Sequence, residues 1–224
     1  MSIVINATAP RLPDSLAAAA AEVEPPTFGH FLEEGFCEPS IRRQAGTGRL
    51  VGRAITVRIT ATDSTLVHKA TAFLGKGDVL VIDTGGDAIH APVGGVVGNA
   101  IAASGALGVV IDGVCTDREA LMETGISVYA RGTSVLTTKL HGINSGGINV
   151  PVTCGGVTVR PGDLVIGDDN GLLIASPAQV ESAIDSARAS DAAEPDLLKR
   201  LRAGEKLPAL SAADALLAKL GVTY

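Results

Sequence analysis

Two runs of apolar residues, each ending in an aspartate, constrain the fold of this chain more than any other feature of its sequence. The runs are VLVID at residues 79–83 and GVVID at residues 108–112. A strand that is apolar on both faces belongs in a sheet that is covered on both sides. A glycine-rich loop and a helical segment separate the two runs, so the alternation of strand, loop and helix indicates an α/β fold with parallel neighbouring strands.

Periodicity and breaker residues predict the other elements up to residue 146. An alternating, β-branched segment predicts a strand over residues 49–60. The sequence SVYAR predicts another strand over residues 127–131. Helices are predicted, in chain order, over residues 15–24, 28–35, 63–74, 99–104 and 117–123.

The pattern changes after residue 146, where short apolar segments alternate with turns. From residue 177 onward the sequence predicts helices, which Pro195 and the Leu207-Pro208 region interrupt. Hairpin strands are predicted over residues 148–153, 157–160, 164–168 and 171–175.

These elements divide the chain into three segments. We expect an N-terminal helical segment over residues 1–25, a central α/β domain over residues 26–177 and a helical tail over residues 178–224. The leucines of the tail have too little local surface on which to pack. We therefore expect the tail to cover the body of the protein or a neighbouring subunit.

Composition excludes several classes of function. The chain has 224 residues, 46% of them hydrophobic, and 18 Lys and Arg against 24 Asp and Glu give a net charge of −6. High apolar content with a modest net charge excludes a disordered chain. The sequence also lacks the excess of cations that phosphate binding requires, so nucleic acid is not expected as a partner.

Cysteine usage and the N-terminal residues favour a cytoplasmic protein. Cys37, Cys115 and Cys154 are widely separated and form no CxxC pair, so neither a zinc knuckle nor a disulfide framework is indicated. The N-terminus lacks the basic start and long apolar stretch of a signal peptide. Residues 91–111 are uncharged and long enough to span a bilayer, but Pro92 and five glycines favour a buried turn, helix and strand instead of a membrane segment.

A glycine-rich loop, DAIHAPVGGVVGN at residues 87–99, runs into a helix. Exposed amide groups at such a helix start bind carboxylate or phosphate, and the helix dipole helps. The loop is neither a dinucleotide fingerprint nor a P-loop, because the required spacing of glycines and lysine is missing. A tight structural turn is the alternative interpretation of Gly94-Gly95.

The second candidate segment, DGVCTDRE at residues 112–119, follows the apolar strand that ends at Asp112. Ligands of α/β sheets collect at such strand ends. Asp117 is a candidate ligand for a hard divalent cation. It is equally a candidate N-cap of the following helix, and both roles are compatible. Cys115 has no histidine near it in the sequence, so we expect a small buried thiol instead of a nucleophile.

Histidines are few in this sequence. Each one, taken alone, is expected to be a polar residue with satisfied hydrogen bonds. His90 is the preferred catalytic candidate because it directly precedes the Gly94-Gly95 turn. The four histidines are His30, His68, His90 and His141.

Several ordered motifs resemble one family. They are GDVLVID at residues 77–83, Gly94-Gly95, GVVIDG at residues 108–113, ARG at residues 130–132 and NVPVTCGGVTVRPGD at residues 149–163. The set resembles the 4-hydroxy-4-methyl-2-oxoglutarate aldolases and the regulator of ribonuclease E activity A. The resemblance covers about residues 26–177.

The resemblance implies a three-layer β/β/α swivelling-domain fold, with the helical segments as extensions. It also implies a homotrimer or homohexamer whose sites lie at subunit borders. In the aldolase branch the carboxylate of pyruvate binds backbone amides, which here are those of Gly94, Gly95, Val96 and Val97. A Mg²⁺ or Mn²⁺ ion polarises the 2-oxo acid in that branch.

Two positions depart from the family pattern. The family has an Arg-Asp pair after the central strand; its Asp, the metal ligand, is Asp117 here, whereas its Arg is replaced by Thr116. Relatives carry Ser-Asp near the N-terminus where this chain has Gly29-His30. We expect His30 or His90 to supply the proton donor or the cation that Thr116 lacks.

The function expected from the sequence is therefore that of a metal-dependent lyase. Its substrate would be a small 2-oxo or hydroxy carboxylic acid, cleaved by a retro-aldol reaction or by decarboxylation. The alternative is a non-catalytic binding protein like the ribonuclease E regulator. The expected partners are the carboxylate substrate and further copies of this chain.

Overall fold

The predicted alternation of strands and helices is present in the computed structural model, which describes residues 2–222. Residue 1 and residues 223–224, at the ends of the two predicted extensions, lie outside the described residues. The strands are β1 (Val4–Ile5), β2 (Arg42–Ala45), β3 (Leu50–Arg58), β4 (Asp78–Asp83), β5 (Gly108–Asp112), β6 (Val114–Cys115), β7 (Ser127–Ala130), β8 (Gly132–Thr133), β9 (Gly147–Ile148), β10 (Val152–Cys154), β11 (Val157–Val159), β12 (Leu164–Asp168) and β13 (Gly171–Ala175). The helices are α1 (Asp14–Glu22), α2 (Pro25–Phe28), α3 (Thr65–Ala70), α4 (Gly95–Ala103), α5 (Arg118–Glu123), α6 (Pro177–Arg202), α7 (Leu207–Leu210) and α8 (Ala213–Lys219).

The two apolar runs are neighbouring parallel strands at the centre of the main sheet. β3, β4, β5 and β7 lie side by side and parallel, as the sequence predicted. β2 pairs antiparallel with β7 at one edge. At the other edge β3 pairs antiparallel with both β9 and β12, and β12 continues into β13 as a predicted hairpin.

Successive side chains of the central strands enter two different apolar layers. In β4, Leu80 and Ile82 pack against the layer that α3, α4 and α5 cover, while Val79 and Val81 face the hairpins. Because a strand has a side-chain period of two, a strand between two cores needs apolar residues at every position. The confirmed arrangement is the three-layer β/β/α fold.

Both terminal segments pack on the outer face of the β12–β13 hairpin. α1 and the first half of α6 bury small and branched apolar side chains there, together with Phe28 of α2. The buried residues of α6 end at Ala187, so its second half extends beyond the body. The boundaries drawn at residues 25 and 177 stay predictions.

The helix predicted over residues 28–35 is wrong. The helix in this region is α2, which starts at Pro25, and residues 29–35 form turns. Pro25 and Pro26 occupy the first two helical positions, where the missing N–H groups have no intrahelical acceptor to lose. The two prolines therefore begin a helix in addition to ending α1.

The continuous strand predicted over residues 148–153 is also wrong. The segment is divided into β9 and β10, which pair with different partners. Asn149 adopts a left-handed conformation with φ of 53°, and Pro151 has no N–H to donate to a ladder. The chain therefore turns between the two short strands.

Pro195 does not interrupt the C-terminal helix as predicted. α6 runs through it without a break from Pro177 to Arg202. The carbonyl that Pro195 leaves without an amide partner is that of Asp191, which is partly exposed, so water can bond it. The interruption predicted near Leu207-Pro208 is present, because α7 begins there.

The uncharged segment at residues 91–111 folds as predicted into a turn, α4 and β5. No helix within residues 2–222 combines the length and the apolar composition that a membrane span needs. The cytoplasmic location stays a prediction.

Candidate functional site

A cleft of about 160 Å³ lies beyond the carboxyl ends of β3, β4 and β5. It brings together most of the predicted site residues, namely Gly94, Val96, Val97, Thr116 and Asp117. The loops after three parallel strands meet there because the strands share one direction. The remaining lining residues are Ser64, His68, Ala91, Pro92, Thr137 and Thr138.

Asp117 joins the two helices that start at the cleft. It occupies the N-cap position of α5 with a left-handed backbone, φ 51° and ψ 47°, yet its side chain makes no capping hydrogen bond to that helix. Instead, the Gly95 amide at the start of α4 donates to Asp117 Oδ2 over 3.0 Å. The predicted N-cap role is therefore met in position only, and the carboxylate faces the neighbouring helix.

Glycine at position 94 is required by close packing in the cleft. A Cβ added to Gly94 would lie 2.5 Å from Asp117 Oδ2 and 2.7 Å from the Cγ2 of Thr116. Gly98 has the same role about a turn later in α4, where a Cβ would lie 2.5 Å from a methyl group of Leu121 in α5. The glycine loop thus serves as a tight structural contact as well as a candidate anion site.

Two amides at the start of α4 are free to bind a ligand. The Gly95 amide is occupied by Asp117, and the Gly98 amide donates to the Gly94 carbonyl. Within residues 2–222, no acceptor is recorded for the amides of Val96 and Val97. The side chain of Val96 is 82% exposed at the cleft. Of the predicted set, Val96 and Val97 are thus the available donors.

Thr137 and Thr138, which line the cleft, continue into a loop that Asp63 holds in place. Amides of His141 and Ile143 donate to the Asp63 carboxylate over 3.1 and 2.7 Å, and the Thr65 amide donates over 2.9 Å. Burial alone would raise the pKa of Asp63. The hydrogen bonds from Thr65, Ile143 and His141 outweigh it and hold the pKa well below its ordinary value.

Two residues in this part of the cleft, His68 and Lys139, were not selected as site candidates from the sequence. The side chain of His68, on α3, is exposed and lines the cleft. Lys139 Nζ donates to the carbonyl and the hydroxyl of Thr137, over 2.7 and 3.4 Å, and Thr137 lines the cleft. No sequence signal marks either residue, because one lies on an exposed helix face and the other in an irregular loop.

The two histidines proposed from the sequence lie elsewhere. His90 pairs through Nδ1 with Asp87 at 3.0 Å, in the loop beside the cleft but outside its lining. Burial would raise the pKa of Asp87, and hydrogen bonds from His90 and Ile89 lower it below its ordinary value. His30 follows α2 in the outer helical layer, with its ring against Phe31. Within one chain, neither residue reaches Asp117.

Cys115 is a buried thiol, as expected. It is fully buried behind Thr116, and burial raises the pKa of its thiol to about 11. A thiol with so high a pKa supplies little thiolate at neutral pH. Nucleophilic catalysis by this residue is therefore not supported.

The chain is similar to known proteins over its central region. The family described as RraA-like, Aldolase/RraA, matches residues 21–174. A protein of Halalkalibacterium halodurans that carries the provisional name 4-hydroxy-4-methyl-2-oxoglutarate aldolase is 38% identical over 144 residues, 64% of this chain and 68% of its own.

Two solved structures share the fold. The RNA-processing inhibitor RraA from Thermus thermophilus is 31% identical with a TM-score of 0.60, over 66% of this chain and 90% of that one. Streptomyces coelicolor RraAS2, described as an unusual member of the RNase ES inhibitor RraA family, gives a TM-score of 0.71 at 24% identity. The match covers 85% of this chain and 98% of that one.

The contacts of Asp63 predict a pH-dependent contribution to stability. Asp63→Asn should lower the free energy of unfolding at pH 7 by about 2 kcal/mol. The reason is that the amides of Thr65, His141 and Ile143 then lose their charged acceptor. The folded-state pKa lies below the ordinary value of 3.8, so this contribution is present above pH 3.8 and is lost as the pH falls towards the folded-state value. Urea denaturation of both proteins at several pH values measures the difference.

Asp185→Asn is the matched control, because Asp185 is an exposed carboxylate of α6. It should leave stability unchanged at every pH. Hydrogen exchange at the His141 and Ile143 amides should accelerate only in Asp63→Asn. Equal protection of those amides in the two variants would contradict the role of Asp63 in holding the loop.

Proposed function

The chain belongs to the RraA-like family, described as Aldolase/RraA, and on that premise we propose that it is a divalent-metal-dependent carbon–carbon lyase. Its substrate would be a small 2-oxo or hydroxy carboxylic acid, and its reaction a retro-aldol cleavage or a decarboxylation. One observation supports this most. The Asp117 carboxylate and the free amides of Val96 and Val97 border the same cleft.

The start of α4 would bind the substrate carboxylate. Val96 and Val97 offer adjacent N–H groups at the positive end of a nine-residue helix. Their donors are fixed by the backbone, so they orient an anion without the entropy cost of ordering a long side chain. The carboxylate would lie beside Asp117, which shares the same helix start through Gly95.

Asp117 would hold a Mg²⁺ or Mn²⁺ ion. Mg²⁺ is commonly bound by one or two carboxylates, with water and substrate oxygens completing its shell. Asp117 fits this use because one oxygen accepts from Gly95, while the other has, among residues 2–222, the Thr116 hydroxyl at 3.4 Å as its single hydrogen-bond contact. Residues 2–222 contain no cluster of three or more His, Cys, Asp or Glu side chains suited to a metal, so Asp117 would be the one protein carboxylate on the ion. When bound, the ion would polarise the 2-oxo group as a Lewis acid.

The positive charge of Lys139 would partly replace that of the family arginine, whose position Thr116 occupies in this chain. Cleavage of the carbon–carbon bond leaves its electron pair on the 2-oxo acid as an enolate, and one missing site donor costs about 3 kcal/mol of transition-state stabilisation. The ammonium of Lys139 donates to the carbonyl and the hydroxyl of Thr137, which lines the same cleft as Asp117. A lysine is a compact point charge without the bidentate geometry of arginine, so the preferred acid would differ from that of arginine-bearing relatives.

His68 would carry the proton in this reaction. Histidine is the side chain that most often exchanges protons near neutral pH. Its exposed ring lines the cleft that contains Asp117, whereas the rings of His30 and His90 lie outside that lining. We therefore assign to His68 the acid–base role for which the sequence suggested His30 or His90.

A non-catalytic binding function is the second candidate. The neutral hydroxyl of Thr116 favours it, because an enzyme site without the family's guanidinium has weaker charge stabilisation. A similar solved structure is also named an RNA-processing inhibitor. A binding protein needs neither a metal nor an intact Asp117, so a metal titration separates the two functions.

The protein would act as a homo-oligomer, a trimer or hexamer. Five leucines of its C-terminal helices are exposed to solvent within the described chain. Packing them against a second copy would remove apolar area from water. The exposed leucines are Leu198, Leu207, Leu216, Leu217 and Leu220.

Removal of the Asp117 charge should abolish metal-dependent activity. Asp117→Asn keeps the size of the side chain and an oxygen for the Gly95 amide, but it weakens binding of a divalent cation. We expect loss of Mg²⁺-dependent cleavage with an unchanged unfolding midpoint. Cleavage is measured as pyruvate release from oxaloacetate and from 4-hydroxy-4-methyl-2-oxoglutarate.

The control for Asp117 is Glu119→Gln, because Glu119 is an exposed carboxylate in the same helix start. It should retain wild-type activity and metal affinity. Full activity of Asp117→Asn would exclude the metal-lyase proposal. Isothermal titration with Mn²⁺ alone gives a second measurement that does not depend on the substrate.

Arginine at position 116 should restore the usual aldolase activity. The wild-type protein is expected to cleave 4-hydroxy-4-methyl-2-oxoglutarate weakly. Thr116→Arg should raise kcat/KM for this substrate by about a hundredfold, in line with the usual effect of one donor. Thr133→Arg, at an exposed threonine outside the cleft lining, is the control. Vigorous cleavage by the wild-type protein would show that Thr116 is harmless.

Substitution of His68 should slow turnover more than binding. His68→Gln removes a proton carrier while keeping a polar side chain, and kcat should fall by about a hundredfold. His90→Gln and His30→Gln should stay close to wild type in steady-state kinetics. A large loss in either of these, with His68→Gln fully active, would return the role to the histidines suggested by the sequence.

A further inference from the structure

We propose that Cys37 and Cys154 form an oxidisable dithiol, which a hydroperoxide converts into an intramolecular disulfide. The Cys37 thiol donates to the backbone carbonyl of Cys154, with Sγ 3.7 Å from the oxygen. Both side chains pack in the layer between the central sheet and the hairpins. Neither borders the cleft described above, so this inference does not depend on the lyase proposal.

The backbone fixes the segment that carries Cys37. The Glu38 amide, next to Cys37, donates to the carbonyl of Gly155, next to Cys154, and the Cys37 amide donates to the Leu172 carbonyl of β13, each over 2.9 Å. A Cβ added to Gly155 would lie 2.8 Å from the Cβ of Cys37. The segment carrying Cys37 is thus fixed directly against the end of β10, and a disulfide requires two cysteines to approach in this way.

Of the two cysteines, Cys37 is the one that solvent can reach. Cys37 is partly exposed and lines a pocket of about 170 Å³, whose walls include Pro25, Phe36, Pro39 and Leu172. Cys154 is fully buried. A small peroxide entering this pocket meets Cys37 first, and the second sulfur is shielded from solvent behind it.

Burial directs the oxidant to Cys37. A hydrogen bond with Cys37 and burial raise the pKa of Cys154 well above its ordinary value, so Cys154 does not react first. An oxidant that enters the pocket therefore meets the partly exposed Cys37. Cys154 then acts as the resolving thiol because the Cys37 sulfur lies against it, and it gives up its proton as it attacks.

The reaction balances with a peroxide as the oxidant. The Cys37 sulfur attacks one peroxide oxygen, the O–O bond breaks, and water leaves with the thiol proton, which gives a sulfenic acid. The Cys154 sulfur then attacks the Cys37 sulfur, the S–O bond breaks, and a second water leaves with the Cys154 proton. Two thiols lose two electrons to one peroxide, and a thiol reductant reverses the change.

The test is peptide mapping of the whole protein after exposure to hydrogen peroxide. We expect wild-type protein to lose two hydrogen atoms and to yield a cross-linked peptide pair containing Cys37 and Cys154. Dithiothreitol should restore the original mass. The oxidised protein should also unfold at a higher temperature, because the cross-link closes a long loop of the unfolded chain.

Cys115 provides the matched control, because it is buried, with its Sγ against the carbonyl of Gly132 in another region of the fold. Cys115→Ser should form the cross-link like wild type, whereas Cys37→Ser and Cys154→Ser should not. Two results in wild-type protein would overturn the proposal. One is a cross-link that contains Cys115, and the other is sulfinic acid at Cys37 beside a free Cys154.

Discussion

Burial of the central strands on both faces is the constraint on which the other features of this molecule depend. β3, β4, β5 and β7 leave no solvated face, so helices must cover one side and hairpins the other. Parallel strands placed in this way send all their following loops to one edge. The loops after β3, β4 and β5 therefore meet at one edge of the sheet, and the cleft lies between them.

At that edge, glycine leaves backbone amides accessible as hydrogen-bond donors, a role that side chains have in many other sites. The starts of α4 and α5 approach so closely that no Cβ fits at position 94. This approach places Asp117 against the Gly95 amide and leaves two further amides open. The candidate anion site and the candidate metal ligand are therefore products of one packing contact.

The features of the site that sequence could predict are those fixed by nearby strands. Thr116, Asp117 and the Gly94-Gly95 turn follow apolar runs whose direction and pairing are determined by local pattern. His68 and Lys139 escaped prediction because their positions depend on Asp63, which bonds to amides 78 and 80 residues later in the chain. Hydrogen bonds between residues so far apart in the sequence leave no periodic signal in it. The errors at residues 28–35 and 148–153 have a related cause, since proline and a left-handed asparagine change the local path of the chain.

The separation of cleft from core has a consequence for how such a protein changes over generations. Lys139 is exposed and Thr116 is half-buried at the cleft, and neither belongs to the apolar layers of the core. Surface substitutions away from structural contacts alter the free energy of unfolding little. Cellular quality control acts on unfolded chains, so a copy with altered chemistry at position 116 would be made and kept in the same amount as its parent. Under the proposed function, selection on the reaction would have to distinguish the two, and such a scaffold could lose or exchange an activity while its abundance stays constant.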